Sequence, residues 1–240
     1  MLADSPDAIT KSGTLGRDVH LAATSRLRLL DFILEQLPLW RDRPDRRKNE
    51  TAETPLTSQL CAHLNSAARH SEGWDFLQFR VEEPDEQRRN RKVDLVPAPC
   101  DACVWIEGRR HTDFDPLLPI ECKRLPTPAE ADRDEREYVI SRHASTGGIQ
   151  RFKAGHHAAA HTFAAMIAYV QQETAVFWDA RVRQWIQDLV DSGQPGWSVG
   201  DFLQLQDDDS EQRVAFLRST HARDKGLPDI ELRHLWLEMN

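Results

Sequence analysis

Apolar residues return at helical spacing from Ser25 to Trp40, where Leu27, Leu29, Leu30, Ile33, Leu34 and Leu37 form one face and Pro38 marks the expected end. A second stripe, Leu56, Leu60 and Leu64, predicts a helix from near Glu53 to about Arg69. Thr54 is its expected N-cap and Pro55 suits its first position. Between the two, RDRPDRRKNE at 41–50 is almost wholly charged and reads as a solvated connection. Beyond Gly73 the pattern shortens to that of strands: DFLQFRV at 75–81, KVDLV at 92–96, ACVWIE at 102–107 and PIECKRL at 119–125. A charged loop, TPAEADRDEREY, leads to Gly147 and Gly148 at the mouth of a short helix, and TFAAMIAYV at 162–170 is apolar enough for a buried strand. Residues 173–190 return to helical spacing, with Val176, Phe177, Ala180, Trp185 and Leu189 among the apolar positions. A turn-rich break follows from Gln194 to Gly200, and then strands at 213–220 and 230–239. Helix, strands, helix, strand, helix and further strands make an α/β plan with a mixed sheet flanked by helices. The organisation expected is a flexible arm over residues 1–18 and one domain over 19–240, with its core at about 50–190 and a C-terminal strand extension at about 200–240.

Composition changes this picture little. Of 240 residues, 40% are hydrophobic and 29% charged, and no apolar run reaches the roughly 18 residues needed to span a bilayer. The first residues carry no basic segment followed by an apolar stretch, so a cytoplasmic location is expected. Four unevenly spaced cysteines argue for free thiols. The net charge of -8 argues against coating nucleic acid through overall charge, while leaving room for a local basic groove.

Candidate chemistry sits in two of the strands. Alternation sends Glu121 and Lys123 to one face of IECK, with Ile120 and Cys122 on the other. In KVDLV, Asp94 shares a face with Lys92 and Val96, so the three chemical groups converge if the strands are neighbours. Two carboxylates offer hard oxygen ligands to Mg²⁺, which stabilises charge on a phosphate and activates water, and an adjacent Lys can orient or deprotonate that water. Among the six lysines only Lys123 has an acid two residues before it. The plainer alternative is an exposed ion pair on a strand face, with Asp94 unrelated.

This arrangement resembles the PD-(D/E)xK, restriction-endonuclease-like nuclease superfamily, with Asp94, Glu121 and Lys123 matching its motif and the resemblance covering about residues 50–190. No Pro precedes Asp94, unlike the strictest form of the motif. The resemblance implies an α/β restriction-endonuclease-like fold and a Mg²⁺-dependent nuclease, with Mn²⁺ able to substitute. It implies metal binding by Asp94 and Glu121. It also implies an acid from the preceding helix, for which Glu53 fits and Glu50 is the runner-up. Gln150 and Arg151 match the polar helix positions that assist, Gln150 towards water or a metal ligand and Arg151 towards a phosphate, with Lys153 following. RRNRK, which supplies Arg88, Arg89, Arg91 and Lys92, could guide nucleic acid, expected to be DNA, and the basic run Arg41 to Lys48 is a further backbone-contact candidate. The setting expected is an endonuclease in bacterial anti-phage defence or a mobile-element system, acting as an effector with a protein partner that supplies targeting or control. The alternative is a catalytically inactive nuclease-fold subunit that binds nucleic acid or assembles with others.

Other signals point to blander roles. CDAC at 100–103, with His111 nearby, is half of a zinc pattern. His156, His157 and His161 lack the Glu of an HExxH motif and read as surface or supporting histidines. His221 and His234 read as structural, and Trp178, Trp185, Trp197 and Trp236 as core before base-stacking platforms.

Overall fold

The computed structural model describes residues 17–21, 25–86, 91–106, 108–129, 133–142, 147–223 and 226–240. Two helices open most of the described chain, α1 (Ser25–Arg41) and α2 (Glu53–His70); a short α3 (Gly148–Lys153) and a longer α4 (Ala175–Asp191) come later. Ten strands accompany them: β1 (Arg17–Leu21), β2 (Leu77–Pro84), β3 (Lys92–Pro99), β4 (Ala102–Ile106), β5 (Arg109–His111), β6 (Ile120–Leu125), β7 (Phe163–Val170), β8 (Gln204–Asp209), β9 (Val214–His221) and β10 (Ile230–Glu238).

Seven strands form one mixed sheet in the order β2-β3-β6-β7-β10-β9-β8. β6, β7 and β10 run parallel at its centre, and antiparallel strands complete both sides. β7 is buried along nearly its whole length, as a strand covered on both faces must be. Its odd positions, Ala165, Ile167 and Tyr169, join α1 and α2 in one core, and its even positions, Ala164, Met166 and Ala168, join α3 and α4 in another. Strand alternation therefore assigns a helical layer to each face. α2 meets the first core through Leu56, Leu60 and Leu64, all fully buried. Burying each of these contributes about 1.5–3 kcal/mol before entropy.

Several expectations are corrected. Arg17 and Asp18 belong to a strand instead of a flexible arm: β1 pairs in parallel with β4, a partner some eighty residues away that leaves no local periodicity. Residues 1–16 lie outside the described residues. ACVWIE supplies β4 to a separate three-stranded sheet, β1-β4-β5, instead of the main one, although Ala102, Val104 and Ile106 still pack into the first core. α1 continues through Pro38 to Arg41. Arg41 is buried where a solvated connection was expected, because its guanidinium donates to the carbonyls of Gln212 and Glu238. The N-cap of α2 is Ala52, with no side-chain cap, so Thr54 and Pro55 lie inside the first turn. On α4, Val176, Phe177 and Ala180 face outward, while Trp178, Val182, Trp185, Ile186 and Leu189 form its buried face. The three short or polar strands β1, β5 and β8 escape a reading based on hydrophobic alternation; β8 (QLQDDD) is exposed throughout. Among the described residues no helix is long and apolar enough to cross a membrane.

Candidate active site

β3 and β6 are antiparallel neighbours with Leu95 opposite Ile120. That register places Asp94 and Glu121 on the same face, because each lies one residue from a paired position. Asp94 reaches across the strands: its Oδ2 accepts the Cys122 backbone N–H at 2.8 Å. Glu121 is fully buried and Lys123 almost so. The Lys123 ammonium lies 2.9 Å from Glu121 Oε1, 3.1 Å from Glu53 Oε1 and 4.0 Å from Asp94 Oδ2, and it also donates to the Cys122 carbonyl at 3.0 Å. Three acids from three elements thus surround one cation. Glu53 comes from the first turn of α2, where an acid also suits the helix dipole. Glu50 has no described contact with the cluster.

Two further groups close on Glu121. Arg151, on α3, donates from Nη1 to Glu121 Oε1. His157 Nδ1 lies 3.1 Å from Glu121 Oε2, without the alignment of a hydrogen bond. Arg151 therefore pairs with a carboxylate where a phosphate clamp was expected. Of the two roles the sequence leaves for His157, surface or supporting, its buried place beside Glu121 is the supporting one. Its position beyond α3, in the stretch that turns back at Gly155 (φ 60°), is what brings it in, and no spacing in the sequence signals this.

Charge decides how these groups titrate. Burial pushes the Asp94 carboxyl up, the neighbouring charges of Glu121 and Glu53 add to this, and it rises to about 8 in spite of Lys123. Burial would also raise Glu121, but Lys123, His157 and Arg151 outweigh it and hold the carboxyl well below its usual range. For Lys123, burial works against the ammonium, yet Glu121, Glu53 and Asp94 overcome it and raise its pKa. Lys123 is accordingly held as a cation and hydrogen-bond donor, not as a base.

The donor chemistry fits a hard divalent ion. Glu53 Oε2 and Glu121 Oε2 are buried carboxylate oxygens with no hydrogen-bond partner among the described residues. Among the described residues no group of three or more His, Cys, Asp or Glu is placed so that it could hold a metal ion together. Mg²⁺ commonly uses one or two carboxylates and keeps several waters.

The remaining expected residues divide. Gln150 turns away from the cluster and accepts the Ser141 backbone N–H at 3.2 Å, because its helix face points to the preceding loop. Lys153 is not available to nucleic acid. It is buried against Asp201, with its ammonium 5.0 Å from the Trp197 ring centre. Lys92 is exposed and paired with Glu82 at 2.7 Å, Arg91 is half-buried, and Arg88 and Arg89 lie outside the described residues.

Behind Lys153 runs a buried polar chain. Trp236 Nε1–H donates to Tyr138 Oη (2.7 Å), Tyr138 to His234 Nδ1 (2.7 Å), and His234 Nε2–H to Ser219 Oγ (2.7 Å). Ser219 then donates to His221 Nε2 (2.7 Å) and His221 Nδ1–H to Asp201 (2.6 Å). This direction gives every proton one acceptor and fixes both tautomers. His221 and His234 are structural, as read from the sequence, and Trp236 is core.

No family model, curated protein or solved structure matches this chain.

Proposed function

We propose that this protein is a Mg²⁺-dependent nuclease of the PD-(D/E)xK kind, with a restriction-endonuclease-like arrangement, acting as an endonuclease on DNA. The observation that carries the reading is the convergence of Asp94, Glu121 and Glu53 around Lys123, on adjacent strands and the start of a helix. Asp94 and Glu121, joined by Glu53, would hold Mg²⁺ or Mn²⁺, which when bound supplies charge stabilisation at the scissile phosphate and an activated water. Lys123, kept protonated by its acidic neighbours, orients water or a phosphate oxygen by donating to it. Arg151 fixes the Glu121 carboxylate from the side opposite His157 and brings a second cation near the phosphate position. Gln150 has no part in this scheme.

The setting proposed with it is bacterial anti-phage defence or a mobile-element system, with a protein partner supplying targeting or control. The acidic net charge supports dependence on a partner. Rapid, site-specific cleavage by the purified protein alone would count against it.

One observation favours a second reading. Lys123 and Arg151 already pair with Glu121 Oε1, and this internal ion pairing would suit a nuclease-fold subunit that binds or assembles without chemistry. Plasmid cleavage with Mg²⁺ or Mn²⁺ separates the two. Nicking by the wild type, reduced at least a hundredfold in both Glu121→Ala and Lys123→Ala, supports the nuclease. Nucleic-acid or partner binding with no cleavage under any condition supports the subunit.

A further inference from the structure

The basic run at 41–50 is not used by the site above, yet it borders a groove of about 520 Å³ between the end of α1 and the outer face of α2. Arg43, Arg46 and Arg47 stand along it. The Arg46 guanidinium lies 5.6 Å from the Trp40 ring centre and donates to the Arg41 carbonyl, so it is held in place. Arg47 is exposed and makes no ion pair among the described residues; its backbone N–H donates to Gln59 Oε1 at 3.0 Å. Arg43 is paired with Asp45 on the surface through two parallel hydrogen bonds of 2.8 and 2.6 Å, so a phosphate engages it by displacing that carboxylate.

A second observation is independent of these cations. The bond from Arg47 fixes the Gln59 amide, so its Nε2 is the free end, and this donor is buried beneath the groove without a partner. The His63 ring faces Gln36 at 3.1 Å through Nε2, which leaves Nδ1 similarly buried and unpartnered. Unsatisfied buried polar atoms cost free energy that a polar ligand recovers by pairing with them. Glu50 and Pro55, which flank Glu53 in the chain, line the groove, while Glu53 itself turns to the inward face of α2 with Leu56 and Leu60 and touches Lys123. From Pro55 to Ser66 the helix extends roughly 16 Å, which matches roughly five phosphates along one strand of duplex DNA.

We propose that this groove binds the phosphate backbone of a DNA strand, with Arg43, Arg46 and Arg47 as the phosphate contacts. The proposal rests on the nuclease reading for its choice of DNA, but it is tested without catalysis. Binding of fluorescently labelled single- and double-stranded oligonucleotides is measured by anisotropy in EDTA over a range of salt. The variants are Arg43→Ala/Arg47→Ala, Ser58→Glu on the exposed wall, and a control pair, Arg142→Ala/Arg181→Ala, from outside the groove. The Arg43/Arg47 pair should weaken binding at least tenfold and reduce the slope of log K against log salt by roughly 2, about one for each lost contact. Ser58→Glu should weaken it several-fold, and the control pair should stay within twofold of the wild type. Groove variants that bind like the wild type, or a wild type that binds neither DNA at low salt, would overturn the proposal. The nuclease reading fails separately: weakened binding in the groove variants, with no metal-dependent nicking by the wild type, keeps the groove and removes the catalysis.

Discussion

Lys123 joins the sequence motif to the fold, since it is buried with three carboxylates within 4.0 Å. Removing one partner of a buried ionic set leaves the others uncompensated, at a cost of about 3–5 kcal/mol. Lys123→Met is therefore expected to lower unfolding stability by about that much in EDTA, read from urea denaturation; a change below 1 kcal/mol would show the cluster to be solvated in practice. His111 offers a second residue-scale test. It is fully buried with both ring nitrogens unpartnered among the described residues, and burial followed by the charges of Arg109 and Arg26 lowers its pKa to about 4. The unfolded chain therefore binds the proton more readily than the native one between pH 6.5 and 4. Stability is full above the ordinary histidine value and falls as pH drops through that window, by about 3 kcal/mol in all. His111→Leu should flatten this part of a stability-against-pH profile, and an unchanged slope would assign it to another group.

At the scale of elements, α3 does the most with the fewest residues. Six residues bring Arg151 to Glu121 on one side and Lys153 to Asp201 on the other, where the chain of hydrogen bonds through His221, Ser219 and His234 secures it to β9 and β10. Its N-cap, Gly147, lies so close to the preceding loop that a Cβ would stand 2.5 Å from Ile140 Cα and 2.6 Å from Ser141 N. Backbone atoms cannot yield as a flexible side chain can, so Gly147→Ala should displace α3, lower stability by about 1–3 kcal/mol, and reduce any metal-dependent cleavage through Arg151. A variant that retained both wild-type stability and activity would show that the loop relaxes freely. Asp201→Ala strands Lys153 and His221 together and should cost about 3–5 kcal/mol in the same denaturation measurement.

For the whole molecule, both faces of the main sheet carry a packed helical layer, and the cluster draws Glu53 from one layer and Arg151 from the other. A ligand that binds only the native state stabilises it by mass action, so millimolar Mg²⁺ should raise the melting temperature of the wild type by a few degrees, roughly 1 kcal/mol in a chain of this length, and leave Glu121→Ala unmoved. An equal shift in both would place the ion elsewhere. The sequence by itself determined the elements whose periodicity is strong: the stripes of α1 and α2, the buried run of β7, and the alternation that puts Glu121 and Lys123 on one face. These follow from local geometry, in which side-chain direction is fixed by the helical or strand repeat. Tertiary structure alone decided that β3 lies beside β6, which converts Asp94 from an isolated acid into a member of the cluster. It also decided that Arg151 and His157 face Glu121, that Gln150 turns away, and that Lys153 is buried. Neighbouring strands and the exit direction of a six-residue helix depend on contacts between residues far apart in the chain, and hydrophobic spacing carries no record of those partners.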